Sequence, residues 1–287
     1  MQKIDNLIEL PESRVKRVLH DPKEHSKLRT DLMMLLENLG LDNRRANELY
    51  AQFSALYVST NLLTDIDNKA HELVRQTEVV INSKKFPLLE LLDKQCSQQL
   101  EKTFTQYASH LQNEKGRVID YGAGNGVLTQ MLHDKLGLNI EGVDIRDIKS
   151  ASVNVPILQF NGERVPVADK YYTAGIINLV LHHEVNNEKI LIELDRIVSN
   201  KLVLKENVPV GATEEEMLQD MDRTFMLDYL MARMFRNYNV PVPGTFETPS
   251  GWKRRFAKYG WKIQHEEDLG FDTPCLPIRK CLLVFTR

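Results

Sequence analysis

The 287-residue sequence predicts an α/β fold: a parallel sheet with helices on both faces, preceded by an all-helical region. Three observations carry that prediction. Val118 and Ile119 form a short β-branched run ending on Asp120, and glycines follow at every second position, 122, 124 and 126. Short apolar runs then alternate with helical periodicity from residue 117 to 208, as βα units do. Ahead of residue 86, apolar residues recur only at helical spacing.

The helical region comes first. Leu28, Leu32, Leu35, Leu36 and Leu39 form a stripe closed by Gly40. Asp42 stands where it can cap a second helix carrying Ala46, Leu49, Phe53, Leu56 and Tyr57. A third stripe runs from Ile66 to Ile81, and Pro87 suits the first turn of a fourth helix reaching Leu111. Residues 1–86 are therefore expected to cap the remainder of the chain. The alternatives are partner binding, including a homodimer through these helices, and direct substrate contact.

After strand 1, Leu128, Met131, Leu132 and Leu136 mark a helix that stops at Gly137, a left-handed C-cap. The next strands are expected at Ile140–Asp144, Ile157–Phe160, Gly175–Leu179 and Leu202–Asn207, with a helix over Asn187–Val198. Residues 209–250 read as an insertion. Its first half, Glu214–Tyr238, is helical and holds five of the nine methionines. Its second half, Val240–Pro249, is too rich in proline for a helix. Methionine adapts to varied shapes, so an apolar lid is expected, with ordinary core filling as the plain alternative. Trp261–His265 and Cys281–Phe285 read as two closing strands with no helix between them.

Strand, glycine turn, helix is the unit that brings backbone close to a nucleotide-like ligand. The spacing here is D-x-G-x-G-x-G. It lacks the third glycine of G-x-G-x-x-G and the lysine of a phosphate-binding loop. A second apolar run ends on Asp144, 18 residues after Gly126, where a carboxylate meets a ribose diol.

These residues resemble the class I S-adenosylmethionine-dependent methyltransferases. The resemblance runs through Val118–Gly126, Gly142–Asp144, Leu158–Val167, Asn178–His183, Glu193–Ile197 and Leu204–Glu206, and more loosely through 245–287. It implies a Rossmann-like seven-stranded methyltransferase sheet ordered 3-2-1-4-5-7-6 with the last strand antiparallel, set within a domain spanning 87–287. It also implies S-adenosyl-L-methionine as cofactor, held by Asp120, Gly122, Ala123, Gly124, Gly126, Asp144, Ile145, Asn161, Gly162, Asn178 and Leu179. In that scheme Asp120 meets the cofactor amino group and Asp144 accepts both ribose hydroxyls. Asn161 stands where relatives often carry an acid for adenine N6, and the exit of strand 4 at Asn178 and Leu179 offers a backbone carbonyl. A Cβ at Gly122 or Gly124 would collide with the cofactor.

Methyl transfer rests on alignment, and a base is needed only if the acceptor starts protonated. His182, His183 and Glu206 are the candidates. Glu206 would orient His182 as general base, with His183 the second choice; the alternative is that the histidines only shape the pocket. The expected acceptor is a small, partly apolar molecule. A macromolecular acceptor, or a regulatory protein that binds the cofactor and works through its N-terminal helices, is the other reading.

Composition narrows the field. A net charge of −3 and a pI near 6.3 leave no electrostatic footprint for nucleic acid. Lys253-Arg254-Arg255 is read as a solvated helix face. Glu193 and Arg196, three residues apart, are read as a structural ion pair. Three scattered cysteines make no disulfide framework, which fits a reducing cytoplasm. No apolar run reaches 18 residues, and acids interrupt the first nine positions, so neither a membrane span nor a signal peptide is expected. His182, His183 and Glu184 are adjacent and their side chains diverge, so no metal is expected.

Overall fold

A computed structural model describes residues 11–38, 40–59, 88–230, 242–271 and 278–287. The expected third helix over Ile66–Ile81, and Met231 and Met234, lie outside the described residues.

The chain divides into two compact units. One comprises residues 1–97, 209–245 and 271–279; the other comprises 98–208, 246–270 and 280–287. The helix of the 209–250 insertion clusters with the N-terminal helices.

In the first unit, helices α1 (Pro11–His20), α2 (Pro22–Asn38) and α3 (Asn43–Ser59) precede α7 (Glu214–Leu230). Asp21 caps α2 by accepting the backbone N–H groups of Lys23 and Glu24. Asp42 caps α3 as expected, its Oδ1 accepting Arg45 N–H at 3.0 Å. Leu28, Leu32, Leu35 and Leu36 are all buried. Helix α7 packs on α1 and α2. Arg17 forks onto Asp222 at 2.7 and 2.9 Å, and Arg223 reaches Glu24 at 2.7 Å. Met226 is 1% exposed, so that methionine fills core within this unit.

In the second unit, which takes α4 (Leu88–Leu111) from Gln98 onward, come β1 (Arg117–Tyr121), α5 (Val127–Leu136), β2 (Asn139–Asp144) and β3 (Ile157–Gln159). Then come β4 (Tyr172–Asn178), a single 3-10 turn (Leu181–His183), α6 (Asn187–Ile197), β5 (Val198–Asn207), α8 (Pro249–Ala257), β6 (Lys262–Phe271) and β7 (Arg279–Thr286). The strands form one seven-stranded sheet in the order 3-2-1-4-5-7-6, with β7 antiparallel to β5. The expected fold class stands.

Both faces of the sheet are covered, and the period-2 alternation of strands decides which residue goes where. Val118, Ile176, Val203 and Val284 pack with Tyr107 of α4 and Leu132 of α5. Their neighbours Ile119, Ile177, Leu204 and Leu283 pack on the opposite face with Leu191 of α6 and Trp252 of α8. Helix α5 ends as expected: Gly137 adopts φ 66° and donates its N–H to His133 O. Strands β4 and β5 begin three and four residues earlier than expected, at Tyr172 and Val198.

Glu193 and Arg196 form the structural pair expected of them. Glu193 Oε1 accepts Val165 N–H at 2.7 Å, and Arg196 donates to the carbonyls of Val165 and Val167. Together they pin the loop ahead of β4.

Candidate functional site

A parallel sheet of this kind turns the carboxyl ends of its strands toward the loops that bear function. The candidate residues on β1, β2, β4 and β5 lie at those ends.

Asp120 is buried at the end of β1, beside Gly142 of β2 and Ile176 of β4. Thr129, on the first turn of α5, donates its hydroxyl to Asp120 Oδ2 at 2.6 Å. Burial pushes the Asp120 carboxyl up to about 7; the Thr129 hydrogen bond pulls it down, and the neighbouring Asp144 raises it further. Asp120 is thus a carboxyl whose ionisation a nearby cation would favour.

The three loop glycines all have positive φ, but for different reasons. A Cβ at Gly122 would lie 2.4 Å from Val180 Cγ2, so that glycine makes room for the chain's own β4 exit loop. A Cβ at Gly126 would press on Ile157 and Val153 at 3.0 Å. At Gly124 a Cβ meets nothing within 4 Å. Of these three, Gly124 is the one that opens onto free space among the described residues, the arrangement that lets a ligand approach backbone. A Gly122 Cβ would thus already collide with the chain's own Val180.

Asp144 closes β2. Its Oδ2 accepts Gly124 N–H at 2.9 Å, and its Oδ1 accepts Arg146 N–H at 2.9 Å and Arg146 Nε at 3.2 Å. The ends of β2 and β3 meet through Phe160 N–H on Asp144 O at 3.0 Å. Ile145, Ile148 and Leu158 stand 38–48% exposed around them, apolar walls of the kind a flat base requires. Ala123 is buried in the loop; a Cβ placed on Gly162 would lie 3.4 Å from Ile145. Asn161 behaves locally: its Oδ1 accepts Glu163 N–H at 3.0 Å, an Asx turn.

At the exit of β4, Tyr107 donates its hydroxyl to Ile177 O at 2.9 Å and lies 3.5 Å from Asn178 Oδ1. Leu179 adopts φ 57°, a strained position for a side chain with a Cβ. Its N–H is held by Lys205 O at 2.9 Å. The next two N–H groups, of Val180 and Leu181, both reach Glu206 Oε1, at 2.8 and 2.6 Å. Glu206 Oε2 lies 2.5 Å from His182 Nδ1.

His182 is 1% exposed and stacks on Phe246 at 5.4 Å between ring centroids. Asn207 Nδ2 lies 3.5 Å from His182 Nε2. His183 is half-buried, its ring 4.1 Å from that of His182.

A donor set of two acids at adjacent strand ends, an open glycine and an apolar rim fits a nucleoside carrying a cationic amino acid. Comparison with known proteins agrees. A profile of the methyltransferase-domain family matches residues 90–266. The chain belongs to this family. Its sheet order is that of the class I methyltransferases, a fold that implies S-adenosylmethionine as cofactor.

Among solved structures, the methyltransferase domain is similar to the [4+2]-cyclase SpnF, at 12% identity and a TM-score of 0.51, covering 65% of this chain and 80% of that one. It is also similar to geranyl diphosphate C-methyltransferase from Streptomyces coelicolor A3(2), whose complex holds Mg2+, geranyl diphosphate and S-adenosyl-L-homocysteine. There the identity is 14% and the TM-score 0.47, over 65% of this chain and 80% of that one. At 12% identity the likeness to SpnF is one of fold. No curated protein sequence matches.

Sequence reasoning missed Thr129, Arg146, Val180, Asn207 and Phe246. Arg146 carried a readable signal, an arginine two residues after a strand-end acid. Val180 and Asn207 directly follow the candidates Leu179 and Glu206, Phe246 lies ahead of α8, and Thr129 sits within an apolar helical stripe.

Proposed function

We propose that this chain transfers a methyl group from S-adenosylmethionine to a small, partly apolar organic molecule. The observation that carries the reading is the placing of Asp120, Gly124, Asp144 and the His182–Glu206 pair at the carboxyl ends of β1, β2, β4 and β5. The likeness to SpnF concerns fold, and one fold hosts unrelated reactions, so the chemistry is argued from the site.

S-adenosylmethionine would supply an electrophilic methyl group on a sulfonium. The chain's own work is to bind, align and, where the acceptor carries a proton, remove it. Gly124 would admit the ligand against backbone, Asp120 would meet its ammonium, and Asp144 would take the ribose hydroxyls. Ile145 and Leu158 would wall the base. Alignment of this kind is worth about 7–11 kcal/mol. With Nδ1–H held by Glu206, a neutral His182 would present Nε2 as the proton acceptor once Asn207 Nδ2, 3.5 Å away, gives it up, adding about 10²–10⁴ in rate.

A second reading keeps the methyltransferase but moves the histidine. Glu206 spends one oxygen on two backbone N–H groups, and His182 is buried. Both features suit a structural pair that shapes the pocket, with the half-buried His183 facing the acceptor.

The deciding experiment incubates the purified chain with S-adenosylmethionine and a metabolite extract and follows S-adenosylhomocysteine. Product that appears only with extract supports an enzyme. Cofactor retained without turnover favours a binding protein acting through residues 1–86, whether as a homodimer or on another partner. Failure to retain the cofactor at millimolar concentration overturns the reading.

A further inference from the structure

In the proposed function, on which this inference rests, Asp144 takes the ribose hydroxyls. A carboxylate offers about four lone-pair positions, two on each oxygen. In Asp144, donors among the described residues fill three of them. Oδ1 takes Arg146 N–H and Arg146 Nε, and Oδ2 takes Gly124 N–H. One position on Oδ2 is left.

A ribose brings two donors, its 2′- and 3′-hydroxyls. Seating both on Asp144 requires one present donor to leave. The backbone N–H groups of Gly124 and Arg146 cannot leave without moving the glycine loop or the end of β2. Arg146 Nε can: it sits on a flexible side chain, 30% exposed, and its 3.2 Å bond is the longest of the three. Water can take over the guanidinium once it swings out.

We propose that Arg146 is a latch on Asp144, competing with a cis-diol for the carboxylate and so weakening the binding of ribonucleoside ligands. The competition is selective. A ligand with a single hydroxyl at this point uses the remaining lone pair and leaves the latch shut. A diol must open it. Arg146 therefore narrows the difference in affinity between ribo- and 2′-deoxyribo-ligands, and its removal widens it.

The test is calorimetric titration of S-adenosylhomocysteine and of its 2′-deoxy analogue into the full chain, wild type and Arg146→Met. The variant keeps the apolar length of the side chain and loses its donors. The expected result is S-adenosylhomocysteine bound about two- to fivefold more tightly by Arg146→Met, the range a partly exposed ion pair supplies, with the deoxy analogue unchanged. Equal or weaker binding of S-adenosylhomocysteine by the variant overturns the latch and leaves the cofactor site standing. An equal gain for both ligands also overturns it, because a general charge effect would act on both. Absence of binding by both proteins overturns the cofactor reading of the proposed function and the latch with it.

Discussion

Glu206 Oε2 lies 2.5 Å from His182 Nδ1, while Oε1 of the same carboxylate holds the N–H groups of Val180 and Leu181. One side chain at the end of β5 thus fixes an imidazole and the loop that carries it. It also anchors the turn that begins with the strained Leu179.

Glu206→Ala should lower stability by about 3–5 kcal/mol, the cost of breaking a buried, hydrogen-bonded pair. Urea unfolding reads this directly. His182→Ala leaves the two backbone bonds in place and should cost less. Once an acceptor is found, a loss in kcat below threefold for both variants would remove the pair from proton transfer.

Asp144→Ala should weaken S-adenosylhomocysteine binding about 10–150-fold, as hydrogen bonds to a charged group contribute about 1.5–3 kcal/mol. Titration calorimetry measures it, and an unchanged affinity would take Asp144 out of the site.

Gly122 and Gly124 should part company when replaced by alanine. Gly124→Ala meets open space and carries only left-handed strain, about 1–2 kcal/mol, so it should fold and bind cofactor poorly. Gly122→Ala adds a 2.4 Å clash with Val180 and should lose more stability than its neighbour. Equal melting temperatures for the two variants would contradict the packing described for Val180.

Stability should depend on pH through Asp120. Its folded value, about 7, lies above the ordinary 3.8, so between those limits the folded chain binds a proton that the unfolded chain does not. This group therefore favours folding in acid and loses that contribution as pH rises through 7. Asp31, raised to about 6 mainly by burial, acts in the same direction. Urea unfolding from pH 5.5 to 8 should show wild type losing stability more steeply than Asp120→Asn. Parallel curves would mean that Asp120 titrates at its ordinary value.

The parts of this molecule that local chemistry dictates could be read from the sequence. Gly137 as a left-handed stop, Asp42 as a cap and the alternation of Val118 with Ile119 each depend on a few adjacent residues, and each has its structural counterpart. Strand edges were harder. Strand β5 starts at Val198 directly on the end of α6, and the polar Ser199-Asn200-Lys201 hides it. Strand β6 runs on to Phe271 although most of its residues are exposed, as on the edge of a sheet, so no apolar alternation marks its length. At the site, the pairing of His182 with Glu206 was legible because a parallel sheet sets the ends of β4 and β5 side by side. The second task of Glu206, and the Val180 side chain behind Gly122, depend on how a loop folds back, and no spacing in the sequence encodes that.

Helix α7 has a bearing on how this protein can be taken apart. Phe225 and Leu227 are buried in a unit shared with α1 and α2, and the Arg14 guanidinium lies over the Phe225 ring. A version trimmed to start at residue 87 would keep every strand yet strip that helix of its cover, leaving sticky apolar surface. Anyone grafting the methyltransferase domain into another protein would have to carry the leading helices along, because they and the insertion helix share one compact unit.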